Sequence, residues 1–208
     1  MSKINLKISS GSKKGTILLV PNGIEPVKNV VKLAIFSMLG DKINGANCLD
    51  LFCGSGNLGL EALSLGAKSC TFVDREGECI KCVKENVKKL NFESNSTICN
   101  SDIKDFLNSS PPTIYDVVFL DPPYKQTIDN IAKKLINCIN ESGVIIYLHH
   151  KNTNVVFNNL KTLKQRVYGI TQVDIMTNSK FKYLKPFEFY LPAQAGILSL
   201  ICHLLFEF

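Results

Sequence analysis

From Asn47 onward, short apolar runs alternate with longer segments whose apolar residues recur at helical spacing. The strand-like runs are Asn47–Phe52, Ser69–Asp74, Ser96–Cys99, Tyr115–Leu120 and Gly143–Leu148. The helix-like segments are Leu58–Leu65, Glu76–Leu90 and Gln126–Ile139. Because parallel strands need long crossover connections, this alternation predicts an α/β fold with a parallel sheet and helices on both faces.

Two further strand-like runs close the pattern. Lys164–Val167 and Thr171–Met176 flank the turn signal Tyr168-Gly169, which predicts a terminal antiparallel hairpin. With the five earlier strands, the hairpin would complete a seven-stranded, mostly parallel sheet.

The chain divides into three predicted parts. Residues 1–46 form a lead-in, extended over Lys7–Val20 and helical over Pro26–Leu39, and we expect this extension to contact RNA. Residues 47–177 form the α/β domain, and residues 178–208 form an apolar tail whose role is open. The run Ala195–Phe206 is shorter than the roughly 20 residues that span a bilayer, so it is expected to pack or self-associate rather than insert.

Composition narrows the possible classes of protein. A chain of 208 residues, 45% hydrophobic and 20% charged, fits one soluble domain and excludes a disordered or fibrous protein. The net charge of +6 is compatible with a polyanionic partner, although Arg75 and Arg166 are the only arginines.

The eight cysteines lie mostly within apolar runs, as buried free thiols do. Cys79 and Cys82 form a C-x-x-C pair, but no second pair with ligand spacing follows, so no metal site is predicted. The first residues lack the apolar stretch of a secretory signal. A reducing, cytoplasmic location is therefore expected.

Asp121-Pro122-Pro123-Tyr124 follows the fourth strand and is the strongest functional signal. Proline has no backbone N–H, so this segment presents carbonyl oxygens and one carboxylate with few competing donors. Such a pocket accepts a hydrogen-bond donor, for example the exocyclic amine of a nucleobase. Tyr124 offers a ring on which that base can stack, worth about 1–3 kcal/mol. The alternative is an ordinary Pro-Pro turn that ends a strand.

A glycine-rich loop, Gly54-Ser55-Gly56-Asn57-Leu58-Gly59, follows the first strand, with Asp74 at the end of the second. This pattern fits the dinucleotide fingerprint, so a nicotinamide- or flavin-dependent oxidoreductase is the natural competitor. However, Asp50 and Asp121 are expected at the same sheet edge, where each would repel a pyrophosphate by about 1–4 kcal/mol. S-adenosylmethionine, which carries a sulfonium and an ammonium, suits acidic surroundings.

On this interpretation four acids have candidate roles. Asp50 attracts the ammonium, directly or through water, and Asp74 accepts from both ribose hydroxyls. Asp102 either accepts from the adenine amine or caps the next helix. Glu61 either orients the loop by accepting backbone N–H bonds or is an exposed acid in a helical first turn.

These residues resemble a known family, the bacterial 16S ribosomal RNA guanine-N2 methyltransferases of the small subunit. The segment 50–67 is similar to the family's cofactor loop and first helix, and Asp121-Pro122-Pro123-Tyr124 to its amine-binding motif. Upstream, the similar residues are Gly11, Lys14, Gly15, Leu18, Pro21, Pro26, Val31, Lys32, Phe36 and Leu39. The resemblance runs from about Lys7 to Met176.

The resemblance implies a Rossmann-like class I methyltransferase fold, S-adenosylmethionine as cofactor and ribosomal RNA as partner, free or within an assembling small subunit. It implies no metal and no membrane, and we expect a monomer. The implied catalytic residues are Asp121, Pro122, Pro123 and Tyr124. The implied cofactor-binding residues are Asp50, Phe52, Gly54, Ser55, Gly56, Asn57, Gly59, Glu61, Asp74, Arg75, Asp102 and Ile103.

The chain departs from the family where RNA should bind. The family's Arg-Pro-Thr is Glu25-Pro26-Val27 here, a later basic position is Val30, and Asp74 stands where the family usually has Glu. Three alternatives stay open: an adenine-N6 amino-methyltransferase acting on DNA or RNA, an NAD-dependent oxidoreductase, and a non-catalytic RNA-binding module.

Overall fold

The computed structural model describes residues 5–109, 114–123, 129–153, 157 and 159–179. Its strands are β1 (Asn47–Leu51), β2 (Ser69–Asp74), β3 (Ser96–Asn100), β4 (Tyr115–Leu120), β5 (Ile139–His150), β6 (Leu160–Tyr168) and β7 (Thr171–Asn178). Its α-helices are α1 (Asn29–Leu39), α2 (Asn57–Ser64), α3 (Gly77–Leu90), α4 (Ile103–Ser109) and α5 (Asp129–Leu135). Short 3-10 helices lie at Gly11–Lys13, Gly40–Ile43, Glu93–Asn95 and Ile136–Cys138.

The strands form one sheet in the order β3-β2-β1-β4-β5-β7-β6. The first five are parallel, and β7 pairs antiparallel with both β5 and β6. The predicted seven-stranded sheet with a terminal antiparallel hairpin is therefore confirmed. Because β1 lies between β2 and β4, the chain reverses its winding direction there, and a crevice opens at the carboxyl ends of β1 and β4.

Several element boundaries differ from the sequence-based prediction. β1 ends at Leu51 because Phe52 adopts a left-handed backbone with φ of 58°. Helix α1 begins at Asn29 rather than Pro26, since Lys28 is still extended. The predicted helix Gln126–Ile139 ends earlier, at Leu135, where a 3-10 helix and then β5 follow. Its first residues lie outside the described part of the chain.

Two apolar cores cover the two faces of the sheet. On one face α1, α2 and α3 pack with Leu6, Ile8 and Leu18 of the lead-in. On the other face α4 and α5 pack around Leu49, Leu51 and Tyr147. The predicted extended lead-in is interrupted by the 3-10 helix Gly11–Lys13, and the isolated antiparallel bridge Lys7–Ile17 joins its two sides. Its apolar residues are thus part of the main core.

A buried ion pair joins the lead-in to α1 and α2. Lys32 Nζ lies 2.7 Å from Glu61 Oε2, and both side chains have at most 1% of their surface exposed. Lys32 also donates to the Lys7 carbonyl and to Asn57 Oδ1, while Ser9 N–H donates to the Glu61 carboxylate. Burial lowers the pKa of Lys32, and the hydrogen bond and charge of Glu61 oppose that shift.

The described cysteines are free thiols, as expected. Cys48, Cys53, Cys70, Cys79 and Cys82 are buried, and burial raises the pKa of each, so they stay protonated at neutral pH. Within the described residues, no group of three or more metal-ligating side chains forms, and no helix is long and apolar enough to cross a bilayer. The tail from residue 180 onward lies outside the described residues.

We predict that Lys32→Met destabilises the protein by about 3–5 kcal/mol, because Glu61 would keep a buried charge without its partner. Chemical unfolding followed by circular dichroism measures the change. The matched control is Lys14→Met, in the same lead-in but exposed. Adding Glu61→Gln to Lys32→Met should recover part of the loss. A loss below about 1 kcal/mol for Lys32→Met would contradict this account of the ion pair.

Candidate functional site

A cavity of about 890 Å³ opens at the carboxyl edge of the sheet, where β1 separates β2 from β4. The glycine loop, the ends of β1 and β2 and the segment after β4 form its walls. The lead-in segment 21–28 and the hairpin residues Tyr168, Ile170 and Thr171 also line it. The fold therefore places this cavity at the switch point where open α/β sheets bind ligands.

Strand register brings two predicted acids to the two sides of Phe52. Leu51 is paired with Val73 of β2 and with Leu120 of β4. Asp74 and Asp121 come next on their strands, so they flank the position of Phe52 at the cavity edge. Their position on either side of β1 follows from the parallel pairing alone.

The glycine loop is held by two carboxylates. Gly54 N–H donates to Asp74 Oδ2 at 2.9 Å, and Gly59 N–H donates to Asp50 Oδ2 at 2.9 Å. Gly54 and Gly56 have φ of 54° and 77°, a region that other residues adopt at a cost. Asp50 and Asp74 thus shape the loop as well as face the cavity.

The cavity is strongly acidic. Among the described residues that line it are two cationic side chains, Lys28 and Arg75, and six carboxylates. These carboxylates belong to Glu25, Asp50, Asp74, Glu76, Glu78 and Asp121. A diphosphate would be repelled here, whereas a cationic ligand would be attracted.

The ionisation of two of these acids, Asp50 and Asp121, is perturbed. Burial raises the pKa of Asp50 well above its usual range, and the charges of Asp121 and Asp74 raise it further, against the Gly59 hydrogen bond. Burial raises the pKa of Asp121 to about 7. Strongly perturbed carboxyl groups in a cleft are typical of functional sites.

The predicted amine-binding motif lies at this cavity. Asp121, Pro122 and Pro123 all line it, with Pro122 buried and Pro123 exposed. Tyr124 lies outside the described residues, so its stacking role stays a prediction.

The predicted cofactor-binding residues divide into two groups. Those that line the cavity are Asp50, Phe52, Gly54, Ser55, Asn57, Asp74 and Arg75. Those that do not are Gly56, Gly59, Glu61, Asp102 and Ile103. Of this second group, Gly56 and Gly59 shape the loop, and Ile103 is buried in the core beneath α4.

Glu61 and Asp102 both accept hydrogen bonds from the protein backbone. Glu61 is buried, so the alternative in which it is an exposed acid is wrong. Its carboxylate accepts a hydrogen bond from Ser9 N–H of the lead-in rather than from the glycine loop. The capping alternative for Asp102 is confirmed, because its Oδ1 accepts from Lys104 N–H at 2.8 Å at the start of α4. An adenine contact by Asp102 stays a prediction.

Sequence reasoning missed residues that support the site from a distance. Asn86 of α3 is fully buried and donates to the carbonyls of Ser55 and Leu19, while its Oδ1 accepts from Leu19 N–H. It therefore joins the glycine loop to the lead-in. The signal available was a polar residue beside Val83 and Val87 on the apolar face of an amphipathic helix.

Comparison with known proteins identifies close relatives. The family described as "Conserved hypothetical protein 95" matches residues 6–177. A Bacillus subtilis protein provisionally named rRNA methyltransferase YlbH is 35% identical, over 82% of this chain and 97% of its own length. The ribosomal RNA small subunit methyltransferase D of Haemophilus influenzae is 31% identical, over 85% of this chain and 96% of its own.

A solved structure supports the same relationship. The Escherichia coli protein provisionally named methyltransferase yhhF has a TM-score of 0.74 and 27% identity, over 83% of this chain and 97% of its own. These relatives span nearly the whole α/β unit, and the resemblance expected from the sequence is confirmed.

We predict that Gly59→Ala destabilises the protein by roughly 2–3 kcal/mol through overpacking. A Cβ at residue 59 would lie 2.4 Å from the Phe72 ring and 2.6 Å from Cys70 Sγ, both fully buried. Gly77→Ala is the matched control, because a Cβ there meets nothing within 4 Å. Thermal unfolding compares the two variants, and equal midpoints would contradict the close packing of α2 on the sheet.

Proposed function

The chain belongs to the ribosomal RNA small subunit methyltransferase D family of S-adenosylmethionine-dependent methyltransferases, and we propose that it methylates the exocyclic N2 amine of a guanine in small-subunit ribosomal RNA. One observation carries the proposal: Asp121, Pro122 and Pro123 line the acidic cavity at the carboxyl edge of the sheet.

The residues of the cavity fit the cofactor by their charge. S-adenosylmethionine supplies a methyl group bonded to a cationic sulfur, and it also carries an ammonium. The carboxylates of Asp50 and Asp121 favour both charges, and they disfavour the diphosphate that an NAD-dependent oxidoreductase would bind. In this proposal Asp50 attracts the ammonium and Asp74 accepts from the ribose hydroxyls.

Asp50 and Asp74 each already accept a hydrogen bond from a backbone N–H group of the glycine loop, in both cases through Oδ2. A carboxylate oxygen has two lone pairs, so each residue keeps capacity for a ligand donor. The loop bonds therefore orient the two carboxylates before a ligand arrives, which lowers the entropic cost of binding.

Asp121 is proposed to hold the amine that is methylated. Together with the Pro122 carbonyl it accepts the two N–H groups, aligns the nitrogen and stabilises the positive charge that develops on it. Because the pKa of Asp121 is raised to about 7, much of it is protonated in the empty cavity at neutral pH. A neighbouring cation lowers that pKa, so the carboxylate becomes available as an acceptor once the cofactor is bound.

Ribosomal RNA as the substrate is supported by the names of the Haemophilus influenzae and Bacillus subtilis relatives. Guanine N2 as the acceptor is supported by the family resemblance in segment 50–67, since the Asp-Pro-Pro-Tyr motif also serves adenine and cytosine amines. The base must be unpaired or flipped out to reach Asp121, at a cost of a few kcal/mol. We propose that the protein acts as a monomer in the cytoplasm, where free thiols stay reduced.

The experiment that tests the proposal supplies methyl-labelled S-adenosylmethionine with small-subunit RNA that lacks its modifications, both naked and assembled into particles. Nuclease digestion and mass spectrometry then identify the labelled nucleoside. We expect N2-methylguanosine. Label in N6-methyladenosine would support the adenine alternative, and no incorporation with either substrate would support a non-catalytic RNA-binding module.

In the same assay, we predict that Asp121→Ala lowers methyl transfer at least 100-fold, as the loss of a positioned charge-stabilising acceptor does. Its affinity for S-adenosylhomocysteine should stay within about threefold of the wild type, since this ligand lacks the sulfonium charge. Glu78→Ala, another acid on the cavity wall, is the control and should retain most of the activity. Equal loss of transfer and of cofactor binding in Asp121→Ala would contradict the role of Asp121 at the amine.

A further inference from the structure

The two cationic side chains of the cavity, Lys28 and Arg75, differ in their surroundings. Arg75 Nε lies 3.0 Å from Glu76 Oε1, so a carboxylate already balances its charge. Within the described part of the chain, no carboxylate forms an ion pair with the exposed Lys28. Among the described residues that line the cavity, Lys28 is therefore the cation whose charge is not already balanced.

The two cations also come from different segments of the cavity wall. Lys28 follows Val27, whose carbonyl accepts from Asn57 Nδ2 at 3.2 Å. Asn57 begins α2, the helix in which Gly59 is held by Asp50. Arg75 instead follows Asp74 at the end of β2. Lys28 thus stands on the wall where the lead-in meets the start of α2, and Arg75 on the wall at the end of β2.

The amino-acid part of S-adenosylmethionine carries an anion as well as a cation. Its carboxylate and its ammonium are bonded to the same carbon, so the two groups lie close together in any binding mode. If Asp50 attracts the ammonium, the carboxylate lies among the same acids of the cavity wall. Without a nearby cation it would be repelled by these acids.

We propose that Lys28 binds the α-carboxylate of S-adenosylmethionine. The inference rests on the cofactor and on the orientation given under the proposed function. The lysine side chain is long and has three rotatable N–H donors, so it reaches a carboxylate without the fixed geometry that arginine requires. Its position in the segment 21–28, which lines the cavity beside the glycine loop, means that the lead-in supplies one of the cofactor's charged contacts.

The test compares two ligands that differ only in the carboxylate, S-adenosylmethionine and its decarboxylated analogue. Calorimetry measures both affinities for the full-length wild type, Lys28→Met and Lys28→Arg. Lys14→Met serves as the control for loss of an exposed lead-in lysine. Thermal unfolding should give the same midpoint for all four proteins, because the Lys28 side chain is exposed.

We expect Lys28→Met to weaken binding of S-adenosylmethionine about tenfold, as the loss of a hydrogen bond to a charged group does, and to leave binding of the decarboxylated analogue unchanged. Lys28→Arg should restore most of the loss, and Lys14→Met should bind both ligands like the wild type. A change of less than twofold in Lys28→Met, or an equal loss for both ligands, would overturn the proposal. A wild type that binds neither ligand would instead refute the proposed cofactor, and with it this inference.

Discussion

The structure depends on bringing three aspartates together at one edge of a parallel sheet. Asp50 lies in β1, Asp74 ends β2 and Asp121 follows β4, and the register between these strands leaves them around Phe52. Gathering them is costly: burial, and after it the charges of Asp121 and Asp74, raise the pKa of Asp50 well above its usual range. Two backbone N–H groups of the glycine loop offset part of that cost. The remaining unfavourable charge is relieved when a cation enters the cavity.

The lead-in is a structural part of this arrangement rather than an appendage. Its backbone is bound through Lys32, Glu61 and Asn86, which are all buried. The Lys32 ammonium also donates to Asn57 Oδ1 in the loop that faces the cavity. A substitution that loosens the packing of the lead-in should therefore also disturb the conformation of the glycine loop. This coupling links the segment expected to meet RNA with the segment expected to bind the methyl donor.

Much of the fold could be predicted, because the parallel strands are buried on both faces and appear as unbroken apolar runs. Ser69–Asp74 and Tyr115–Leu120 have the predicted bounds. The start of α1 could not be predicted, since Lys28 stays extended where the neighbouring Val27 carbonyl binds a residue far along the chain. The roles of Glu61 and Asn86 could not be predicted for the same reason, because their hydrogen-bond partners lie far away in the sequence. Local patterns report periodicity and capping, as for Asp102, but not which distant backbone a buried polar side chain will meet.

The central claim is that carboxylates in the cavity select a cationic methyl donor, and the dependence of that selection on pH tests it most directly. S-adenosylmethionine and S-adenosylhomocysteine share every charge except the sulfonium, so the ratio of their affinities isolates the contribution of the sulfonium charge to binding. Because Asp121 is neutral below its raised pKa and charged above it, the preference for S-adenosylmethionine should grow as pH rises and level off above about 7. Asp121→Asn should flatten this rise. A preference that does not change with pH in the wild type, or that rises equally in Asp121→Asn, would contradict the account.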